Sequence, residues 1–188
     1  MIKNIRILSN LIFLFFMMLT ILSCNKTKKE TKKMVSQLME DTLSLPIQGQ
    51  ILYKDSLYQK NNAINYNAKF KITTLLWGDC HSCIADLEKW EDFYLFTENN
   101  KNIELLFFLY TSDLEIFKKS LYTKDIHKYP LIIDPQNKYI VRNNLSIDNK
   151  MYQTFLLDSN NKVILVGNPI YNEKLMKLYK EEINKRLD

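Results

Sequence analysis

Two stretches of the chain are rich in aromatic and branched apolar residues, Phe70–Trp77 and Ile103–Tyr110. The second is nearly continuous in apolar character, as expected for a strand that is covered on both faces in a parallel sheet. Between them, apolar residues recur at helical spacing from about Ser82 to Thr97, which predicts an amphipathic helix. The order strand, helix, strand indicates a βαβ unit.

Further elements are predicted on both sides of this unit. Upstream, Leu45–Tyr53 alternates apolar and polar residues and predicts an edge strand with Pro46 near its start. The elements predicted downstream are a helix with Leu114, Phe117 and Leu121 on one face, the strand Leu131–Ile133, a short helix at Gln136–Asn143, a hairpin of Tyr152–Leu157 with Lys162–Val166, and an amphipathic helix at Asn172–Leu187. Short connections and right-handed crossovers fold this order into an α/β domain with a central mixed sheet flanked by helices.

The N-terminus has the pattern of an export signal. Met1–Arg6 is short and basic, Leu11–Leu22 is almost wholly apolar, and the small residue Ser23 precedes Cys24. A charged start, an apolar core and a small residue are typical of a secretory signal peptide. The apolar run over 7–22 has 16 residues, fewer than the roughly 20 that span a bilayer. An uncleaved membrane anchor is the alternative.

The four residues that end this signal, Ile21-Leu22-Ser23-Cys24, resemble a bacterial lipobox. The resemblance implies that residues 1–23 are removed and that Cys24 carries acyl chains such as palmitate, which attach the protein to a membrane. Residues 24–45 are rich in Lys, Thr, Glu and Asn and predict a flexible tether. The folded domain is therefore expected over 46–188.

Composition and charge narrow the function classes. Hydrophobic residues make up 46% of the chain and charged residues 25%, the balance of a soluble globular domain. The formal net charge of +5 falls to +3 when Lys3 and Arg6 leave with the signal, too little to predict nucleic-acid binding. Because the chain contains no flavin or nicotinamide fingerprint, we expect no cofactor.

The cysteines carry the most specific chemical signal. If Cys24 is acylated, Cys80 and Cys83 remain, with two residues between them. A bridge closing so short a loop stabilises little, so a reactive dithiol explains the pair better than a structural disulfide. The pair follows a buried strand and begins a helix, whose free N–H groups and partial positive charge stabilise a thiolate. We therefore predict that Cys80 is the nucleophile and that Cys83 resolves the mixed disulfide.

The neighbours of the pair are expected to tune it. His81, between the cysteines, adds positive charge when protonated, whereas Asp79 disfavours the thiolate by like-charge repulsion. Half of a metal site is the usual alternative for such a pair, but only His81 and His127 could complete a tetrahedral set, so we expect no metal. Trp77, at the end of its strand, flanks the dithiol or fills the core.

The strand, the Cys-X-X-Cys pair at a helix start, the βαβ unit and the final hairpin and helix together resemble the thioredoxin superfamily. The inserted helix and strand most resemble its TlpA-like branch of envelope thiol-disulfide oxidoreductases, over about Phe70–Leu187. The resemblance implies a thioredoxin-like fold in which Thr154–Asp158 is the strand after a cis-proline. The chain departs from the family in having Asp79 where tryptophan is usual and no proline near Met151–Gln153. A trans peptide bond is therefore expected there.

The resemblance also implies a function. It predicts an envelope oxidoreductase that reduces disulfides of exported proteins, located on the periplasmic side of the inner or outer membrane. Its partners would be disulfide-containing or thiol proteins of the envelope, with electrons supplied by an upstream membrane reductase. The alternative is a non-catalytic lipoprotein module that binds a protein or senses oxidants. The direction of electron flow stays open, because it depends on the reduction potential.

Overall fold

The computed structural model describes residues 29–54, 56–59, 64–124, 128–146 and 149–187. The chain divides into two units, Met1–Leu38 and Met39–Asp188. In the first unit residues 29–38 form helix α1, while the predicted signal peptide and the lipidation site Cys24 lie outside the described residues. No helix among the described residues combines the length and the apolar character needed to cross a membrane.

The described part of the second unit contains seven strands. They are β1 (Ile51–Tyr53), β2 (Ser56–Tyr58), β3 (Phe70–Trp77), β4 (Ile103–Tyr110), β5 (Leu131–Ile133), β6 (Thr154–Leu157) and β7 (Val163–Val166). They form one sheet in the order β2-β1-β5-β4-β3-β6-β7. The pairs β3–β4 and β4–β5 are parallel and the remaining pairs are antiparallel, so the mixed sheet predicted from the sequence is confirmed.

Helices connect the strands of this sheet. They are α2 (His81–Ala85), α3 (Glu91–Thr97), α4 (Leu114–Lys124), α5 (Lys138–Arg142) and α6 (Glu173–Leu187). A 3-10 turn, Asp86–Trp90, joins α2 to α3, so the single helix predicted over Ser82–Thr97 has the expected extent but is interrupted. At the start of α4 the Asp113 carboxylate accepts a hydrogen bond from the Ile116 N–H (2.9 Å), which makes Asp113 the N-cap.

Strand β3 lies inside the sheet, between β4 and β6, and the site follows its carboxyl end. All of its residues except Trp77 are buried, and it pairs with β4 from Phe70 opposite Ile103 to Trp77 opposite Tyr110. On its other side β6 runs antiparallel, with Thr74 opposite Thr154. The carboxyl ends of β3 and β4 therefore meet the start of β6 at one edge of the sheet.

The first strand and the start of the compact unit differ from those expected from the sequence. The strand expected over Leu45–Tyr53 covers Ile51–Tyr53, and its expected edge position is wrong, because β1 pairs with β5 on one side and with the unpredicted strand β2 on the other. All three residues of β2 are exposed, so no buried pattern marked it. The compact unit also begins ahead of residue 46, since Thr42 bridges Lys162 and Leu43 is buried.

Candidate functional site

The turn after β3 brings the cysteine pair to the edge of the sheet. Gly78 follows Trp77, and its N–H donates to the carbonyl of Tyr110 (2.8 Å). A Cβ atom at Gly78 would lie 2.8 Å from the Thr111 Cβ and 2.9 Å from a ring carbon of Phe117. Only glycine fits this close approach between the turn and α4. The glycine thereby allows the turn ahead of α2 to pack closely against α4.

Cys80 and Cys83 form a disulfide, with their Cα atoms 5.2 Å apart. Cys80 is the N-cap residue of α2, and its carbonyl accepts the N–H groups of Cys83 (2.9 Å) and Ile84 (3.1 Å). Cys80 is partly exposed, whereas Cys83 is 5% exposed. A soluble disulfide partner therefore has access to Cys80 and not to Cys83.

Lys150 lies directly over the disulfide. Its Nζ is 2.8 Å from the Cys83 Sγ and 3.7 Å from the Cys80 Sγ. Lys150 begins a 3-10 turn, Lys150–Tyr152, whose cap residue Asn149 accepts the Met151 N–H through its side chain. Sequence analysis missed this residue. Its only signal was its position in the segment where the resemblance expects a cis-proline to face the dithiol.

Asp79 and His81 flank the pair but differ in their contacts. One oxygen of the Asp79 carboxylate accepts hydrogen bonds from the Thr111 hydroxyl (2.6 Å) and the Ser112 N–H (2.9 Å). These bonds lower the pKa of Asp79 below its ordinary value. His81 is the exposed first residue of α2. The structure thus shows a tethering contact for Asp79, and the predicted tuning of the thiolate by either residue stays a prediction.

Trp77 lies beside the site. A cavity of about 30 Å³, close to the size of one water molecule, is lined by Trp77, Cys83, Lys150 and Gln153 among others. The indole N–H of Trp77 donates to the side-chain oxygen of Gln153 (3.4 Å), and its ring packs edge-on against Tyr110. Of the two positions left open by the sequence, Trp77 therefore takes the one next to the dithiol.

Gln153 is buried where the resemblance places the strand entry after the cis-proline. Its side-chain amide donates to the carbonyl of Ser146 (2.8 Å), and its own carbonyl accepts the Tyr139 hydroxyl (3.3 Å). All peptide bonds among the described residues are trans, as expected for Met151–Gln153. Hydrogen bonds, rather than a proline ring, fix the chain opposite the cysteines.

A metal site finds no support in the part of the chain that the structure describes. His127, one of the two histidines considered, lies outside the described residues. Within those residues no three His, Cys, Asp or Glu side chains lie close enough together to hold an ion.

Solved structures share this architecture. The thioredoxin domain of a thiol-disulfide oxidoreductase from Bacteroides vulgatus aligns with a TM-score of 0.52 at 12% identity, covering 73% of this chain and 97% of that one. The chain has a thioredoxin-like fold. A thioredoxin-like protein from Bacteroides caccae aligns with a TM-score of 0.52 at 13% identity over 85% of this chain and 55% of its own.

A third thioredoxin-like neighbour is described as a thiol:disulfide interchange protein, from a Bacteroides species. It aligns with a TM-score of 0.50 at 15% identity and covers 72% of this chain and 88% of its own. No protein-family model matches the chain, and neither does the sequence of any curated protein. At these identities the thioredoxin-like fold is what the chain shares with its neighbours.

Proposed function

We propose that the protein is a thiol-disulfide oxidoreductase that reduces disulfides of exported proteins with Cys80 and Cys83. The observation that supports it is the disulfide at the carboxyl end of β3, in which one sulfur is accessible and the other is buried against the Lys150 amino group. This asymmetry suits a two-step exchange, because the substrate meets a single cysteine and the second stays shielded until it is needed.

In the proposed cycle the Cys80 thiolate attacks one sulfur of a substrate disulfide. A mixed disulfide forms, and the other substrate sulfur leaves as a thiolate that takes a proton from water. Cys83 then attacks the Cys80 sulfur as a thiolate, which breaks the mixed disulfide and releases the second substrate thiol. Two electrons pass to the substrate, and a thiol donor must reduce Cys80–Cys83 again. We assign that step to an upstream membrane reductase.

We also propose that the protein acts in the cell envelope, attached through an acylated Cys24 after loss of residues 1–23. The support is the basic, apolar and small-residue pattern of the N-terminus together with the lipobox-like residues that end it. Its partners would then be thiol and disulfide proteins of the envelope. Mass spectrometry of the intact protein from a bacterial host tests this assignment, since acylation and cleavage before Cys24 change its mass together.

Turbidity during reduction of insulin by dithiothreitol tests the catalytic function. We expect the purified protein to accelerate precipitation of the insulin B chain and Cys80→Ser to lose the effect. Cys83→Ser should accumulate a mixed disulfide instead. Ser159→Ala, at an exposed position in the turn between β6 and β7, is the matched control. Equal rates with and without the wild-type protein would contradict the proposal.

One observation favours a second candidate, a non-catalytic module that binds a protein or senses oxidants. Opposite the cysteines, Met151–Gln153 contains no proline, and Gln153 is engaged by Trp77 and Ser146. A surface organised in this way differs from the one that the family offers to substrates. A protein that titrates reversibly between dithiol and disulfide but leaves insulin unreduced would match this candidate.

A further inference from the structure

We infer that Lys150 is a catalytic residue for the resolving step, in which its ammonium group holds Cys83 as the attacking thiolate. The inference rests on the proposed dithiol exchange, and it assigns a role to a residue outside the Cys-X-X-Cys segment. It also predicts which of the two sulfurs Lys150 serves.

The Lys150 ammonium group lies closer to the sulfur of Cys83 than to that of Cys80. Lys150 Nζ is 2.8 Å from the Cys83 Sγ and 3.7 Å from the Cys80 Sγ. The attraction between unit charges falls with distance, and a direct N–H to sulfur contact adds a hydrogen bond to the nearer atom. Lys150 therefore stabilises negative charge on Cys83 more than on Cys80.

The burial of Cys83 makes its thiolate depend on a nearby positive group. Cys83 is 5% exposed, and a buried sulfur is costly to ionise unless a positive group or a donor pairs with it. Its own N–H is bonded to the Cys80 carbonyl, and α2 has only five residues, so the helix supplies little charge at this depth. A cation from another segment of the chain meets the need.

The turn that carries Lys150 is held in place. The Asn149 side chain accepts the Met151 N–H (3.0 Å), and the Met151 carbonyl accepts the Asn168 N–H (2.9 Å). The lysine backbone is therefore anchored on both sides of the turn, and only its side chain must be ordered over the sulfurs. Because the backbone of Lys150 is fixed, its side chain has fewer positions to sample before the ammonium group reaches the sulfur.

Other charged groups lie around the buried sulfur. Asp86 and Tyr171 line the same small cavity as Cys83 and Lys150. The Asp86 carboxylate is paired with the Lys89 ammonium (2.7 Å) and accepts the Tyr171 hydroxyl, so its negative charge is largely compensated. Asp79 is held by the loop after β4. His81, which follows Cys80 in the sequence, is exposed to solvent. Among the described residues, Lys150 is the charged group in direct contact with the Cys83 sulfur.

In the mixed disulfide Cys83 carries a thiol, whose proton passes to water, and Lys150 stays an ammonium. The thiolate electron pair forms the bond to the Cys80 sulfur while the bond from Cys80 to the substrate sulfur breaks. The substrate sulfur leaves with that electron pair and takes a proton from water. In the reverse direction the same ammonium stabilises Cys83 as the leaving thiolate.

The reduced, full-length protein carrying Cys24→Ser has Cys80 and Cys83 as its two thiols. Its reaction with Ellman's reagent, which contains an aromatic disulfide, separates the two cysteines. Attack by Cys80 releases one coloured thiolate, and attack by Cys83 on the mixed disulfide releases a second. The variant Cys83→Ser identifies the first phase, because it lacks the second. Stopped-flow absorbance over a range of pH gives the rate of each phase and the apparent pKa of Cys83 from the second.

We expect Lys150→Met and Lys150→Gln to slow the second phase about tenfold at neutral pH. The pH midpoint of that phase should rise by about one unit, because a shift of one unit changes the thiolate fraction tenfold. The first phase should change much less. Lys150→Arg should keep most of the wild-type rate, because it restores the charge. Lys174→Met, which removes another exposed lysine, should match the wild type in both phases.

A second phase with an unchanged pH profile in both neutral variants would overturn the inference. The insulin assay keeps this result separate from the proposed function. If the wild type reduces insulin and the neutral variants keep the wild-type profile, the role of Lys150 alone is wrong. If the wild type fails to reduce insulin while the second phase shifts as expected, the role of Lys150 toward Cys83 holds and the catalytic function is wrong.

Discussion

Asp79 stands directly before the accessible cysteine, yet its carboxylate is bonded to the loop that follows β4. Thr111 and Ser112 both donate to it, and together they tie the turn after β3 to the start of α4. The hydrogen bonds favour the ionised form and lower its pKa. At the scale of one residue, the hydrogen bonds of Asp79 should therefore contribute to the stability of the fold.

We expect Asp79→Asn to lower the free energy of unfolding by no more than about 0.5 kcal/mol at neutral pH, because the carboxylate is exposed to solvent. A carboxyl group with a lowered folded pKa stabilises fully above its unfolded pKa of about 4, and this stabilisation is lost as the pH falls through the lower folded value. Urea unfolding of the wild type and the variant at several pH values measures the difference. It should persist from pH 7 to about 5 and shrink below about 4, whereas Asp92→Asn, at an exposed site, should show no such loss.

His81 and the accessible sulfur provide a second prediction for single residues. Because Cys80 is partly exposed and Cys83 is buried, iodoacetamide should modify Cys80 first in the reduced protein at mildly acidic pH. His81→Ala should slow this alkylation severalfold, because it removes a ring whose cationic form would stabilise the neighbouring thiolate. Peptide mapping by mass spectrometry measures both sites. Equal labelling of the two cysteines at every pH would contradict the assigned order of attack.

At the scale of elements, the turn between β3 and α2 depends on a residue without a side chain. In Gly78→Ala the new methyl group would lie within 3.0 Å of atoms of Thr111, Phe117 and Leu109, so β3 and α4 must separate. Overpacking of this kind costs about 1–3 kcal/mol. We expect Gly78→Ala to lower the midpoint of thermal unfolding, measured by circular dichroism. Lys119→Ala, on the exposed face of α4, should change the free energy of unfolding by less than about 0.5 kcal/mol and so leave the midpoint nearly unchanged.

The elements also show which signals a sequence carries. Strands β3, β4 and β5 have the predicted bounds, because each is rich in aromatic, β-branched and other apolar residues that are buried within the sheet. Strand β2 has no such run and was missed. The contact of Lys150 with Cys83 joins residues that are 67 positions apart, so no local pattern in the sequence reports it. The thioredoxin-like topology was therefore predictable, whereas the cation over the dithiol required the structure.

At the scale of the whole molecule, the segment ahead of β1 takes part in the sheet that it precedes. Leu43 is 3% exposed, its N–H donates to the Asn161 carbonyl, and the Val163 N–H donates to the Asp41 carbonyl. Strand β7 is at one edge of the sheet. Residues 41–43 therefore cover the start of this edge strand and fill an apolar site next to it.

Shortened chains test what this cover contributes. A chain that starts at Met39 should unfold at nearly the same urea concentration as the full protein. A chain that starts at Leu45 loses the burial of Leu43, worth about 2 kcal/mol, and its midpoint should fall accordingly. The variant Leu43→Ala in the full chain separates the side-chain part of the loss from the backbone part. Equal midpoints for all four proteins would contradict this role of residues 41–43.

The same contacts bear on how pulling at the N-terminus would reach the domain. A force on residue 39 acts first on the few bonds that join residues 41–43 to β7 and to the turn before it, whereas the disulfide lies just after strand β3, two strands farther into the sheet. The bonds of residues 41–43 should therefore break first when the N-terminus is pulled. Under the proposed attachment through Cys24, these bonds would open and free several residues ahead of β1 before tension reached the strands that position the cysteines, so the contact between Lys150 and the sulfurs would be protected from pulling at the N-terminus.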